Sequence, residues 1–127
     1  MLTEKLKAAL TSYPDFPSKG ILFRDINSIL LNIDLFDELI EEMANIPNIS
    51  EADGIVAIDA RGFIFGSILA NKLKKRLVLA RKKGKLPGDI IEKSYDLEYG
   101  SDSLAIQKLA LKNLKKVVII DDLLATG

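Results

Sequence analysis

The 127-residue sequence contains no cysteine, no histidine and no tryptophan. Without cysteine there is no disulfide and no thiol nucleophile, and without histidine there is no Ser-His pair and no ordinary zinc site. Acid–base chemistry therefore depends on carboxylates. Eighteen basic residues balance eighteen acidic ones, so no net charge favours nucleic acid or an anionic membrane surface. Any anion site must be local.

Long hydrophobic runs are also lacking. No apolar segment approaches the ~20 residues that cross a bilayer, and residues 1–7 have no signal-peptide core. We therefore expect a cytoplasmic protein. Hydrophobic residues make up 48% of the chain and charged residues 28%, which is typical of globular proteins. The length predicts a single domain over residues 1–127, short for a complete doubly wound enzyme.

Alternating strand and helix patterns predict an α/β fold. Residues 54–59 and 77–80 are typical of strands, and the helix between them would bury Ile64, Phe65, Ile68, Leu69 and Leu73. This strand-helix-strand unit implies parallel pairing. Four β-branched residues at 117–120 predict a further strand, buried on both faces. Together they indicate an open parallel sheet flanked by helices, within residues 52–127.

The segments outside the predicted parallel core comprise two helices, a loop and further extended segments. An N-terminal helix, a turn-rich loop at 13–20 and an extended run at 21–23 are expected, the helix burying Leu2, Leu6, Ala9 and Leu10. A second helix should have Asp34 as its N-cap and end at Pro47. Residues 91–99 alternate in polarity, which predicts a half-exposed strand turning at 100–101. Residues 104–114 fit helix and strand equally, and we favour a strand for the first half.

Residues after the last predicted strand suit a phosphorylated sugar. Asp121 and Asp122 follow it directly, and carboxylates accept hydrogen bonds from vicinal hydroxyls. The small residues Ala125, Thr126 and Gly127 come next, in a turn whose backbone N–H groups can form an anion nest. An acid-tipped strand alone also occurs in response receivers and phosphatases. The two aspartates followed by the small-residue turn are more specific for a phosphorylated sugar.

Two other strand ends carry cations. Arg61 lies in the turn after residues 54–59, and residues 81–88 place four cations in a loop with two glycines and a proline. Arginine offers a fixed fork of donors and lysine a point charge, both suited to a polyanion. Basic loops are usually only solvated, so each feature alone is weak. Three such strand ends at one edge of a sheet favour anion binding.

Five segments together resemble the adenine phosphoribosyltransferases, within the type I phosphoribosyltransferase family. They are residues 13–25, 60–63, 81–88, 94–100 and 121–127, which follow the family's order and spacing. The resemblance implies a type I phosphoribosyltransferase-like sheet, with an N-terminal base-binding hood over residues 1–33 and a mobile hairpin. It implies a purine salvage glycosyltransferase that moves 5-phosphoribosyl from phosphoribosyl pyrophosphate (PRPP) to adenine, giving AMP and pyrophosphate. Mg²⁺ bound mainly through PRPP and a homodimer are also implied.

The resemblance assigns the PRPP-binding residues position by position. Arg61 would hold pyrophosphate as a catalytic residue. The other residues would contact different parts of PRPP: Asp121 and Asp122 the ribose hydroxyls, Ala125, Thr126 and Gly127 the 5-phosphate, and Arg81 and Lys85 PRPP across the dimer interface.

The resemblance assigns the adenine-binding residues in the same way. Phe23 would stack on adenine while the backbones of Leu22 and Arg24 read its edge. Glu98, the second catalytic residue, would meet purine N7 from the mobile segment at residues 87–103. Tyr99 would help to close the site.

The chain departs from the family pattern at two places. Asp59 stands where similar enzymes usually have glutamate, and the sequence ends at Gly127, where the family's phosphate loop continues into a helix and a further strand. We therefore expect this 127-residue chain to bind PRPP poorly and to make little AMP. Two alternatives stay open. One is a non-catalytic PRPP-binding or regulatory protein on the same fold, and the other is a phosphoribosyltransferase for another base.

Overall fold

A computed structural model describes residues 1–97 and 100–124 of the chain, which divides into two compact units. The first unit is Met1–Met43 and the second begins at Ala44. In the described ranges, no helix is both long enough and apolar enough to cross a membrane.

The first unit combines helices with a small hairpin. Its elements are α1 (Leu2–Ala9), β1 (Thr11–Pro14), β2 (Leu22–Asp25), α2 (Asn27–Leu30) and α3 (Ile33–Ala44), the last of which reaches one residue into the second unit. β1 and β2 pair antiparallel, so that Tyr13 faces Phe23. The predicted apolar face of α1 is confirmed, because its four residues are half-buried while most of the others are exposed.

The cap predicted for the second helix is wrong. α3 begins at Ile33, and the Asn32 Oδ1 accepts a hydrogen bond from the Leu35 N–H at 3.1 Å, which makes Asn32 the capping residue. Asp34 lies in the first turn, where a negative charge suits the helix dipole. Pro47 does not end this helix either. It begins the short α4, at a position where proline loses no hydrogen bond.

The second unit is built on one five-stranded sheet. Its elements are α4 (Pro47–Ser50), β3 (Gly54–Ile58), α5 (Gly62–Leu73), β4 (Arg76–Lys82), β5 (Ile90–Leu97), β6 (Gly100–Gln107), a 3-10 turn (Lys108–Leu111) and β7 (Val117–Ile120). The strand order is β5-β6-β4-β3-β7. β3 pairs parallel with β4 and β7, which confirms the predicted parallel core.

The hairpin of β5 and β6 makes the sheet mixed. The two strands pair antiparallel from Ile90 with Gln107 to Leu97 with Gly100. The turn predicted at residues 100–101 is wrong, because Gly100 and Ser101 belong to β6. β6 pairs antiparallel with β4, with Arg81 opposite Ala105 and Lys82 opposite Leu104. The strand favoured for the first half of residues 104–114 is therefore confirmed as the end of β6.

α5 packs closely on β3 because small residues occupy the contact. A Cβ atom on Gly66 would lie 2.6 Å from the Ala57 Cβ, so only glycine permits this approach. Phe65 and Leu69 are buried as predicted, but Ile68 is exposed. The prediction for Ile68 is wrong because the buried stripe passes instead through the small residues Gly62, Gly66 and Ala70.

β7 is not buried on both faces as predicted. Ile120 is buried, but Val117 is 44% exposed and Ile119 is 66% exposed. β7 is the edge strand of the sheet, and these two side chains lie on one of its faces. The correction concerns burial alone, since the predicted strand itself is present.

Candidate active site

The carboxyl ends of β3, β4 and β7 lie side by side. Ile58 pairs with Ala80 and Ala57 with Ile120, so the segments that follow these three strands meet at one edge of the sheet. In open α/β sheets this is the edge at which ligands bind. The structure thus brings together the cationic and acidic segments expected from the sequence.

Arg61 and Asp122 form an ion pair at this edge. The Arg61 Nε lies 2.9 Å from the Asp122 Oδ2, and the Asp122 side chain is 7% exposed while that of Arg61 is 46% exposed. The Asp122 N–H donates to the Asp121 Oδ1 at 2.8 Å. Partial desolvation and the adjacent Asp122 carboxylate raise the pKa of Asp121. Two carboxylates and one guanidinium group therefore lie together at this edge of the sheet.

Gly62 makes this approach possible. α5 starts at Gly62, and a Cβ atom there would lie 2.7 Å from the Ile120 carbonyl oxygen and 3.2 Å from the Asp121 Oδ1. Such a short contact with backbone is not tolerated, so the first turn of α5 can touch the end of β7 only with glycine at this position. Gly62 is therefore a structural requirement for the Arg61–Asp122 pair.

A second cluster surrounds Asp59. Its Oδ2 lies 3.5 Å from the Arg81 Nε and 3.5 Å from the Lys85 Nζ, and it accepts a hydrogen bond from the Lys82 N–H at 3.3 Å. Burial would raise the pKa of Asp59, but the Lys82 N–H and the charges of Lys85 and Arg81 outweigh it, so the pKa lies below its ordinary value. The guanidinium of Arg81 also lies 6.0 Å from the centre of the Phe63 ring.

Asp59 is the residue that the sequence reasoning did not assign to the site. The sequence places Asp59 at one of the three strand ends and marks it as a departure from the family's glutamate, without indicating a partner for its carboxylate. The available signal was its position directly after a buried strand and before Arg61, where a carboxylate has a cation close by in the sequence.

Three of the adenine-binding residues predicted from the sequence, Leu22, Phe23 and Arg24, lie in the first unit. Phe23 lines a pocket of about 320 Å³ together with Tyr13, Phe16, Asp25 and Asn27. The Phe16 and Phe23 rings meet edge to face at 5.1 Å, which holds one aromatic wall in place. Leu22 and Arg24 lie on β2 beside Phe23 with exposed side chains, and the Arg24 Nη1 donates a hydrogen bond to the Ser12 Oγ at 3.5 Å.

Lys82 links the hairpin to β4. Its Nζ lies 3.1 Å from the Tyr95 hydroxyl oxygen and 3.1 Å from the Asp102 Oδ2. Hydrogen bonds to Tyr95 and Asp102 raise the pKa of Lys82, and the Ser103 N–H and Lys82 lower that of Asp102, so both groups are charged at neutral pH. The mobility predicted for residues 87–103 stays a prediction.

Five predicted site residues lie outside the described residues: Glu98, Tyr99, Ala125, Thr126 and Gly127. Their assigned contacts with the purine and the 5-phosphate therefore rest on the sequence.

Comparison with known proteins decides the family. Residues 26–127 match the family model described as "Phosphoribosyl transferase domain". An adenine phosphoribosyltransferase from Prochlorococcus marinus is 57% identical over 127 residues, which cover 100% of this chain and 74% of that protein. The chain belongs to the adenine phosphoribosyltransferase family.

Solved adenine phosphoribosyltransferases share the fold over the same length. The enzyme from Saccharomyces cerevisiae, complexed with adenine and D-2,5-dideoxy-2,5-imino-altritol 1,6-bisphosphate, superposes with a TM-score of 0.91 at 43% identity. The match covers 99% of this chain and 74% of the yeast chain. The enzyme from Thermoanaerobacter pseudethanolicus gives a TM-score of 0.89 at 46% identity, over 100% of this chain and 73% of that one. The predicted type I phosphoribosyltransferase-like fold is confirmed.

Proposed function

We propose that this adenine phosphoribosyltransferase family member transfers the 5-phosphoribosyl group of PRPP to adenine and releases AMP and pyrophosphate. The observation that carries the proposal is the meeting of Asp121 and Asp122 with Arg61 at the carboxyl edge of the sheet. Carboxylates beside a cation suit a ligand that has hydroxyls on one side and a diphosphate on the other. The yeast relative, solved with adenine and a sugar-like bisphosphate, supports this pairing of ligands.

The chemistry requires charge stabilisation more than acid catalysis. Displacement of pyrophosphate from the anomeric carbon develops positive charge on the sugar and negative charge on the leaving group. Preoriented cations near the leaving oxygens lower the barrier, and we assign this role to Arg61 with Arg81 and Lys85. Asp121 and Asp122 would accept hydrogen bonds from the ribose hydroxyls and so orient the sugar for in-line attack.

Adenine would enter the pocket of the first unit. A flat purine needs an aromatic face and few hydrogen bonds, and Phe23 supplies that face. The backbone groups of Leu22 and Arg24 would read the purine edge. Glu98 would accept or relay a proton from the purine, a role typically worth ~10²–10⁴ in rate, and Tyr99 would help to close the site.

Mg²⁺ would arrive with the diphosphate of PRPP. Within residues 1–97 and 100–124, no group of three or more histidine, cysteine, aspartate or glutamate side chains is arranged to hold a metal ion. When bound, the ion would neutralise diphosphate charge. A homodimer, in which Arg81 and Lys85 reach PRPP across the interface, and a cytoplasmic location belong to the same proposal.

The alternatives are tested by the same reaction. A regulatory protein would bind PRPP without forming AMP, and an enzyme for another base would prefer hypoxanthine or guanine to adenine. The curated relative named above and the solved structures are adenine enzymes, which favours adenine.

PRPP-dependent AMP formation, measured by chromatography, tests the proposal. We expect Arg61→Gln to lower the rate by ~10²-fold or more, because one oriented donor to developing charge is typically worth ~10²–10³. Lys112→Gln is the matched control, since it removes an exposed positive charge from the opposite edge of the sheet. Equal losses in both variants would contradict the assigned role of Arg61.

The assay should use two polypeptides. One is the 127-residue chain, and the other carries in addition the part of a curated relative that lies outside the match, since the chain covers 74% of that relative. We expect more AMP from the longer polypeptide. Absence of AMP from both, while both are folded, would refute the enzymatic proposal.

A further inference from the structure

Asp59 is a buried carboxylate whose partners among the described residues lie at the end of β4 and in the turn that follows it. Its side chain is 7% exposed, and the cations at its Oδ2 are Arg81 and Lys85. A buried carboxylate is stable only when it is paired and hydrogen-bonded. Asp59 therefore fixes the basic turn that follows β4.

The ion pairs of Asp59 with Arg81 and Lys85 are long enough for another anion to replace Asp59. Both ion-pair distances are 3.5 Å, longer than the roughly 2.7–2.9 Å of a strong charge-assisted hydrogen bond. The Arg81 Nε is buried and, within the described residues, makes no hydrogen bond, even to Asp59. A buried donor without an acceptor is unfavourable, so Arg81 would gain from an anion with better geometry. The Arg61–Asp122 pair, at 2.9 Å, shows no such deficit.

We propose that Asp59 is a positioning residue and an internal counter-ion, which holds Arg81 and Lys85 in the ligand-free protein and yields them to the pyrophosphate group of the substrate. The inference rests on the proposed function, because it takes the ligand of these cations to be a diphosphate. The inference applies whether the diphosphate is bound in the same protomer as Asp59 or in the partner protomer of a dimer.

A counter-ion role and a purely structural role of Asp59 predict opposite changes in anion affinity when its charge is removed. As a counter-ion, Asp59 repels the incoming anion and competes for its cations, so removing the charge should strengthen anion binding. If Asp59 only supported the fold of the turn, removing it would disorder Arg81 and Lys85 and weaken binding.

Calorimetric titration with inorganic pyrophosphate distinguishes the two. We expect Asp59→Asn, which keeps an oxygen for the Lys82 N–H, to bind pyrophosphate about 3- to 10-fold more tightly, as expected when one repulsive charge leaves a partly exposed site. Asp53→Asn is the matched control, because Asp53 caps the Lys115 and Lys116 N–H groups at the opposite end of β3. The Asp53→Asn variant should bind pyrophosphate with the affinity of wild type. The affinity of Asp59→Glu for pyrophosphate should also stay near that of wild type.

A double-mutant cycle shows whether Asp59 acts through Lys85. In a Lys85→Gln background the gain from Asp59→Asn should shrink, because one of the two cations in the competition is gone. Weaker or unchanged binding by Asp59→Asn would overturn the proposal. So would an equal gain in both backgrounds, or an absence of pyrophosphate binding in wild type and variant alike.

A measurement on the unmutated protein covers the case in which Asp59→Asn does not fold. Carbon-13 NMR follows the carboxyl group of Asp59, and saturating pyrophosphate should raise its pKa, since the anion takes the charges of Arg81 and Lys85 away from it. An unchanged pKa would overturn the proposal. AMP formation is scored separately for the 127-residue chain and for the longer polypeptide, so tighter pyrophosphate binding without AMP from either would reject the proposed enzyme while the counter-ion role stood.

Discussion

Phe23 shows what a single side chain contributes to base recognition. It lies on a short strand of the first unit, half-buried, with one ring edge fixed by Phe16 and the pocket beside it. Core aromatics are enclosed on all sides, whereas this ring borders space large enough for a flat ligand. The position therefore suits stacking more than core packing.

We expect Phe23→Ala to weaken adenine binding by roughly 1–3 kcal/mol, the range for stacking of a base on an aromatic ring, and to leave PRPP binding nearly intact. Calorimetry with each ligand checks this. Ile21→Ala, at a more exposed position nearby, is the control and should change neither affinity. Parallel losses for adenine and PRPP would point to a folding defect.

Other residue-scale features could not be predicted from the sequence. Asn32 and Asp34 are both good N-cap residues and lie two positions apart, so the choice depends on where the backbone bends into α3. The contacts of Asp59 are similarly hidden, because they join a strand end to a turn that is distant in the sequence.

At the scale of elements, α5 links fold and site. Hydrophobicity alone predicts that Ile68 is buried. The face of α5 that packs on the sheet carries glycine and alanine instead, because helix and sheet approach closely there. The same requirement applies at Gly62, where the helix start touches the end of β7. The strands and their central parallel pairing can be predicted from the apolar runs, whereas the distance between α5 and the sheet cannot.

Gly62→Ala should lower the free energy of unfolding by about 1–3 kcal/mol, the usual cost of overpacking, because the new Cβ meets the Ile120 carbonyl. It should also weaken pyrophosphate binding, since Arg61 and Asp122 would move apart. Urea denaturation and calorimetry measure the two effects. Ser67→Ala, on the exposed side of the same helix, should change the unfolding free energy by less than about 0.5 kcal/mol. Similar values for the two variants would show that α5 can shift freely.

At the scale of the whole molecule, the sequence predicted the fold class, the parallel core and the family, because those follow from alternating patterns and from motifs in a fixed order. It did not predict the exposure of β7. Four apolar residues in a row indicate a strand, but they do not say whether a neighbour covers it. Val117 and Ile119 are apolar and exposed at the edge of the sheet.

An exposed apolar edge strand favours association between molecules. We expect the 127-residue chain to form dimers or larger species, and Ile119→Lys to shift it towards smaller species, as measured by light scattering after gel filtration. Leu109→Lys adds the same charge at an exposed leucine in the 3-10 turn and should have a smaller effect. A monomeric wild-type chain would remove the basis for this expectation.

The pairing of β3 with both β4 and β7 also bears on the order of folding. Gly54 meets Arg76 across one helix but meets Val117 across a far longer stretch of chain, and long loops cost more entropy to close. The cationic half of the site, carried by β3, α5 and β4, would then assemble before the acidic half arrives with β7. Φ-values should therefore be higher for Val78→Ala than for Ile120→Val, and the reverse order would place β7 in the folding nucleus. On this route, the chain acquires a place for a diphosphate before it acquires a place for a ribose.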